Sequence, residues 1–196
     1  MAKTAALLIL ICIATWLVGC SEPPVDTTDQ STPQAAVRAF LLVVEIRDAD
    51  AVERFFVTED DGQRQYAAAY AQLLRAAERL NDAAVSRFGR EESRQLLGSW
   101  IPGADESRRV ASADIKVDGD SARVTMPDGT QLRLRKVGEK WQIVPSVQEG
   151  EADFPEAAAA LVRITQAIIN TADAVERGQI GSPVDARQQI VQAIER

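Results

Sequence analysis

The sequence predicts an α+β fold: N-terminal helices packed on a four-stranded antiparallel meander, followed by two C-terminal helices. The prediction rests on the spacing of apolar residues, which is helical up to about Leu97 and alternating from about Ala111 to Ile143. After Asp153 the helical spacing returns. A change from the helical period to the two-residue period marks the passage from helices to strands, and its reversal marks the final helices.

Four helices are predicted before the sheet from their start signals. They begin at Thr32-Pro33, at a capping box from Asp50 to Glu53, after Thr58 and at Glu91. The third is the longest and ends at Gly89. Its apolar residues recur every three or four positions: Tyr66, Tyr70, Leu73, Ala77, Leu80, Ala84 and Phe88.

Four short strands are predicted from alternating runs that turn signals separate. Asp118-Gly119 and Asp128-Gly129 stand between such runs, and Asp-Gly is a strong short-range hairpin signal. Short connections make neighbours in sequence neighbours in the sheet. The inward face is assigned to Ile115, Val117, Val124, Leu132, Leu134, Trp141 and Ile143.

Two helices are predicted after the sheet. The first begins after Asp153, ends at Gly178 and is poor in charge. Its apolar stripe is expected to pack on the sheet, with a partner protein as the alternative. The second begins at a capping box from Ser182 to Asp185, and its apolar stripe comprises Ile190, Val191 and Ile194.

The N-terminus has the pattern of an export signal. Lys3 supplies a positive charge, and the uncharged run from Ala5 to Val18 is too short for a comfortable membrane span. The run ends in Leu17-Val18-Gly19-Cys20, which resembles the lipobox of bacterial lipoprotein precursors. The resemblance implies cleavage between Gly19 and Cys20 and a covalent lipid on Cys20, and no other cofactor is expected. An ordinary secretory signal and an uncleaved anchor are the alternatives.

The resemblance also implies a location in the cell envelope, with the membrane as a partner through the acyl chains. Ser21 after the cysteine implies the outer membrane, facing the periplasm, in a double-membraned bacterium, and otherwise the outer face of the cytoplasmic membrane. The polar segment up to Thr32 is expected to be a flexible tether with a reach on the order of 20 Å. The predicted divisions are a signal peptide (1–19), the lipidated cysteine and tether (20–32), an α+β domain (33–148) and a C-terminal helical extension (149–196).

Composition excludes several classes of function. The chain has a net charge of −7, which becomes −8 when Lys3 leaves with the signal, so nucleic acid is a poor candidate partner. It has no histidine, and of its two cysteines Cys12 leaves with the signal while Cys20 carries the lipid. Ser-His-Asp catalysis, Cys-His catalysis and histidine-containing zinc sites are thereby excluded. We expect a protein that is not an enzyme.

Three segments resemble the small NTF2-like (cystatin-like α+β) domains of exported bacterial lipoproteins: Thr32 to Phe40, Asp48 to Phe56, and the closing strand Val137-Gly-Glu-Lys-Trp-Gln-Ile143. The resemblance covers about Thr32 to Ser146 and implies helices laid across a curved antiparallel sheet. In some such domains the space between sheet and helices is a ligand pocket. The long third helix and the two helices after the sheet depart from the minimal pattern.

Alternation also predicts the outward face of the sheet. Five cations fall on it, with Asp114 as the opposing acid: Lys116, Arg123, Arg133, Arg135 and Lys140. In an acidic chain this face is a candidate contact surface for an anionic lipid, a cell-wall polymer or another envelope protein. The alternative is a solvated face that keeps the protein soluble.

Tyr66, Tyr70, Trp100 and Trp141 form a candidate apolar pocket, with an ordinary core as the alternative. The acids at Glu59 to Asp61, and Asp118 with Asp120, lack calcium-loop spacing, so no metal site is predicted. The sequence therefore favours a membrane-anchored, non-enzymatic binding or assembly module. The alternatives are a small-molecule carrier or enzyme that uses tyrosine and carboxylate chemistry in an NTF2-like pocket, and a self-assembling structural lipoprotein.

Overall fold

The computed structural model describes residues 26–97, 104–146 and 153–195. Its helices are α1 (Pro33–Glu45), α2 (Ala49–Val52), α3 (Asp61–Phe88), α4 (Arg90–Leu97), α5 (Ala104–Arg109), α6 (Phe154–Glu176) and α7 (Pro183–Ile194). Its strands are β1 (Asp114–Asp118), β2 (Ser121–Thr125), β3 (Gln131–Val137) and β4 (Lys140–Val144). This order of helices, antiparallel sheet and two final helices confirms the predicted fold class.

Side-chain caps fix the starts of the long helices. In each case a carboxylate or hydroxyl oxygen accepts a hydrogen bond from the backbone N–H three residues on, which satisfies a donor that the helix leaves unpaired. The caps are Thr32 for α1, Asp60 for α3, Asp153 for α6 and Ser182 for α7. All four lie at or within two residues of a predicted helix start.

The cap of α2 differs from the prediction. Asp48 accepts the hydrogen bond from the Ala51 N–H, at 2.9 Å, so the predicted capping box at Asp50 is wrong. Asp50 lies in the first turn and pairs with Arg75 of α3, with 2.7 Å between oxygen and nitrogen. Two aspartates two residues apart offer the same side-chain chemistry, and the backbone conformation decides which one caps.

The four strands form one antiparallel sheet in the order β1-β2-β3-β4. Two-residue turns join β1 to β2 and β3 to β4, and Gly119 and Gly138 occupy the first position of these turns with φ of 56° and 61°. A type II′ hairpin turn requires a positive φ at that position, which glycine adopts without strain. The meander thus forms from local turn signals, as predicted.

One hydrophobic cluster, termed the sheet core, lies between α1 and the inward face of the sheet. Its largest fully buried side chains include Val37, Val44, Leu74, Val124 and Leu134. Val117 lies on the predicted inward face but is not buried, because 56% of it is exposed. It lies near the end of the edge strand β1, whereas the strands that α1 contacts most are β2 and β4. Alternation assigns a side chain to a face, but the extent of the covering helix decides whether it is buried.

Two segments cover the free edge of β4. The Trp141 N–H donates to the Gln30 carbonyl oxygen at 2.8 Å, and Gln30 Nε2 donates to the Trp141 carbonyl oxygen at 3.1 Å. Further along, Phe56 forms a parallel bridge with Ile143, and the Val57 N–H donates to the Ile143 carbonyl oxygen at 2.9 Å. Gln30 is 7% exposed, so the end of the predicted tether is bound to the sheet.

A second hydrophobic cluster, termed the helix core, lies where α3, α4, α6 and α7 meet. Its largest fully buried side chains are Leu80, Leu96, Val175 and Ile190. The expectation that α6 packs on the sheet is wrong, because α6 packs along α3. An amphipathic stripe indicates which side of a helix is buried but not which element buries it.

The long helix α3 belongs to both cores. Ala71 and Leu74 lie in the sheet core, whereas Ala77 and Leu80 lie in the helix core. Burial also extends beyond the predicted stripe to Ala67, Ala69, Ala71, Leu74, Ala76 and Ala83. The C-terminal helices therefore complete the burial of α3, and α6 and α7 share a core with α3 and α4, which precede the sheet.

Two further expectations about the helices fail. Of the predicted stripe on α7, only Ile190 is buried, while Val191 and Ile194 are 37% and 42% exposed. The short helix α5 lies in a stretch for which the sequence predicts none. Its charged composition, with Arg108 and Arg109 in the last turn, carries no apolar period from which a helix could be recognised.

Candidate functional site

The five predicted outward cations lie on one face of the sheet, and three of them form a single cross-strand row. Lys116 stands opposite Arg123, and Arg123 stands opposite Arg133. The Cβ atoms of such pairs are about 4.5–5.5 Å apart, so the side chains are direct neighbours. Val144 of β4 ends the row. Lys116, Arg123 and Arg133 are termed the cationic row.

Arg135 lies in the next row and pairs with an acid from outside the sheet. Its guanidinium forms an ion pair with Glu59, which precedes α3. The Glu59 N–H donates to Gln63 Oε1 at 2.7 Å, and the Gln63 N–H donates to the cap Asp60 at 2.8 Å. The first turn of α3 thereby fixes Glu59 beside the sheet. No sequence signal connects Glu59 with Arg135, because the bridge between Phe56 and β4 brings them together.

Lys140 is separated from the cationic row. It stands opposite Val137, two rows beyond Arg133, which corresponds to about 13 Å along a strand. Of the five predicted cations, therefore, only the three in the cationic row are direct neighbours of one another. Arg135 is paired with Glu59, and Lys140 lies too far away.

The acids on this face differ from the prediction. Asp118 ends β1 on the same side as Asp114, so the expectation of a single opposing acid is wrong. Asp114 Oδ2 is 3.7 Å from Lys116 Nζ, but both side chains are well exposed, and such pairs contribute little. Within the described residues, Arg123 and Arg133 have no ion-pair partner.

The cationic row lines a surface groove of about 540 Å³. Glu59 and Gln63 border it on the side of α3, and the outward face of the sheet supplies the rest of the lining. Neutral hydroxyl and amide groups from Ser121, Thr125 and Gln131 also line the groove, as does the carboxylate of Asp118. A volume of this size is within the usual range for small-ligand sites, and cations beside neutral donors suit an oxyanion.

Tyr70, a member of the candidate aromatic pocket, packs against the sheet core. Its ring stacks on Phe40 with centroids 6.3 Å apart and meets the ring of Phe56 edge-on at 5.9 Å. Burial raises the pKa of the Tyr70 phenol well above its ordinary value, and the neighbouring Tyr66 adds to this shift. The Tyr66 ring meets the ring of Phe154 of α6 edge-on, with the ring centroids 6.0 Å apart. Burial raises the pKa of the Tyr66 phenol as well.

The two predicted pocket tryptophans have different outcomes. Trp141 is 6% exposed in the sheet core, where its backbone binds Gln30. Trp100 lies outside the described residues. The groove on the outward face is lined by neither Tyr66, Tyr70 nor Trp141. Trp141 is buried and the two tyrosines are partly buried, and all three lie outside the cationic groove.

The acidic cluster from Glu59 to Asp61 has structural partners. Glu59 pairs with Arg135, Asp60 caps α3, and Asp61 pairs with Arg64. In the part of the chain that the structure describes, no group of three or more acids, cysteines and histidines is placed to hold a metal ion.

Gly19 and Cys20, the predicted cleavage and lipidation residues, lie outside the described residues. Among residues 26–97, 104–146 and 153–195, no helix combines the length and apolar character that crossing a membrane requires. Comparison with protein-family models, with curated proteins and with solved structures gives no match. The groove beside the cationic row is therefore the candidate site that the chain's own residues define.

Proposed function

We propose that the chain is a lipid-anchored protein of the bacterial cell envelope that acts as a non-enzymatic binding or assembly module. The observation that carries the proposal is the Leu17-Val18-Gly19-Cys20 motif at the end of an uncharged run. A diacylglyceryl group on Cys20 supplies two acyl chains, which anchor a protein stably where one chain is marginal. Cleavage before Cys20 makes this residue the N-terminus of the mature chain.

The bound Gln30 limits how far the folded part can move from the membrane. Nine residues, Ser21 to Asp29, separate Cys20 from Gln30. Four of these residues, Asp26 to Asp29, form a hydrogen-bonded turn, so the segment has a shorter reach than a flexible tether that ends at Thr32. The edge of β4, to which Gln30 is bound, is then held nearest to the membrane.

The packing of the described residues supports a binding module over a carrier or enzyme. Tyr70 is packed against Phe40 and Phe56, and Trp141 is buried in the sheet core. Among the described residues Glu45 has a carboxylate oxygen that is buried without a hydrogen-bond partner. No aspartate or glutamate is buried as a whole residue there, and none makes a described hydrogen bond to Tyr66 or Tyr70. A tyrosine and carboxylate mechanism would need such an acid close to the phenol.

The anchor is tested by mass spectrometry of the N-terminal peptide from protein isolated from its native membrane. We expect a peptide that begins at Cys20 and carries the added mass of the acyl chains. The variant Cys20→Ser should remain uncleaved and unlipidated. The matched control is Cys12→Ser, which removes the other cysteine of the chain and should be processed as the wild type is.

Two results would contradict the proposal. One is an unmodified Cys20 in protein isolated from membranes. The other is normal cleavage of the Cys20→Ser variant, which would indicate an ordinary secretory signal instead of a lipobox.

A further inference from the structure

The cationic row is unfavourable for the sheet taken by itself. Lys116 and Arg123 are cross-strand neighbours, and so are Arg123 and Arg133. Like charges placed directly opposite each other destabilise a sheet. Arg123 and Arg133 have no ion-pair partner within the described residues that could offset the repulsion. An anion bound between the two arginines would offset this repulsion.

The surroundings of the row favour a compact anion over a broad acidic surface. The groove of about 540 Å³ is bordered by Glu59, whose carboxylate is occupied by Arg135 and whose backbone is held by Gln63. An extended acidic partner would have to lie against this fixed carboxylate. A small oxyanion between Arg123 and Arg133 would lie one row away from both Arg135, which holds Glu59, and Asp118, the other carboxylate that lines the groove.

We propose that the groove binds a phosphate group, with Arg123 and Arg133 as its principal ligands and Lys116 as the third cation. The planar guanidinium matches phosphate oxygens in paired hydrogen bonds, and three cations suit a tetrahedral oxyanion better than a carboxylate with two oxygens. Thr125 and Gln131, which flank the row and line the groove, can donate to the remaining oxygens. The volume leaves space for a substituent on the phosphate.

The phosphate can belong to a phospholipid headgroup or to a soluble phosphate ester. Only the phospholipid source rests on the proposed function, because a protein anchored in a membrane is always close to phospholipid headgroups. The chemistry of recognition is the same for both sources. Two arms of one experiment distinguish them.

The first arm is calorimetric titration of the full chain, held in micelles of a neutral detergent, with inorganic phosphate. The second titrates the same micelles with phosphatidylglycerol and follows the change in Tm, with diacylglycerol, a neutral lipid that has no phosphate, as the reference. The test variant is Arg123→Gln with Arg133→Gln. The matched control is Arg38→Gln with Lys140→Gln, which removes two exposed charges outside the groove, one of them on the same face of the sheet.

We expect saturable binding in at least one arm, at least tenfold weaker binding in the test variant, and affinity within about twofold of wild type in the control. The test variant should also melt at or above the wild-type Tm without ligand, because it removes like-charge contacts. A response to phosphatidylglycerol without one to inorganic phosphate identifies a headgroup, and a response to inorganic phosphate alone identifies a soluble ester. Responses in both arms support the phosphate site for either source.

Absence of saturable binding in both arms would overturn the proposal, as would equal losses in the test and control variants. A test variant that melts well below the wild type would show that the two arginines support the sheet, and this too would contradict it. None of these outcomes depends on whether Cys20 is lipidated, which the mass of the N-terminal peptide decides separately.

Discussion

Substitution of Leu80 by alanine tests whether the two cores form one cooperative unit. Leu80 is fully buried in the helix core. The change removes three buried carbon groups at about 0.8 kcal/mol each, and the cavity left behind raises the loss to about 3–4 kcal/mol. At roughly 2–4 °C per kcal/mol for a chain of this size, Tm should fall by about 6–16 °C.

The assay is urea unfolding followed by far-ultraviolet circular dichroism and by tryptophan fluorescence. In a background with Trp16→Phe and Trp100→Phe, the emission comes from Trp141 in the sheet core. Because α3 contributes to both cores, both signals should shift together although Leu80 lies in the other core. The control Val184→Ala, at a side chain that is 69% exposed, should change stability by no more than about 0.5 kcal/mol. A Trp141 transition that stays at its original urea concentration while the helical signal shifts would refute the coupling through α3.

Three smaller predictions follow from single contacts. Burial raises the pKa of both tyrosines, so the folded chain keeps phenol protons that the unfolded chain releases near pH 10. The free energy of unfolding should therefore be at its full value below pH 10 and fall above it. In a pH titration, phenolate absorbance should appear together with unfolding. Gln30→Ala removes the side-chain hydrogen bond to the Trp141 carbonyl oxygen and should lower the free energy of unfolding by about 1 kcal/mol in urea titrations. An unchanged value would mean that this hydrogen bond does not stabilise the fold. Thr165→Val should leave the free energy of unfolding unchanged or raise it by up to about 1 kcal/mol, because the buried Thr165 hydroxyl has no hydrogen-bond partner within the described residues. A loss of about 1 kcal/mol in thermal melts would mean that the hydroxyl does form a hydrogen bond in the folded protein.

The sheet was predictable because its signals are local. Each strand alternates, and Gly119 and Gly138 mark turns whose geometry fixes the register of the adjoining strands. The outward placement of Arg123 and Arg133 follows from alternation along β2 and β3 without any tertiary information. Val117 lies on the predicted face yet is exposed, because coverage depends on how far α1 extends across the sheet.

Contacts between distant segments were not predictable from the sequence. The border that Glu59 forms beside Arg135 depends on the Phe56 bridge to β4, and the packing of α6 depends on a side of α3 made mostly of alanine. Alanine adds little to an apolar stripe, so the second buried side of α3 gives almost no signal. Gln30 looks like any polar tether residue until its two hydrogen bonds to Trp141 are seen.

Coverage of the β4 edge by Gln30 and the Phe56-Val57 segment leaves β1 as the other edge of the sheet. That strand has five residues and carries Asp114, Lys116 and Asp118. Short, charged edge strands resist pairing with the sheet of a neighbouring molecule. Copies anchored in a membrane, as we propose, would be confined to two dimensions and would meet side by side. With one edge occupied by the chain's own N-terminal segment and the other charged, such copies can crowd together without merging their sheets into an aggregate.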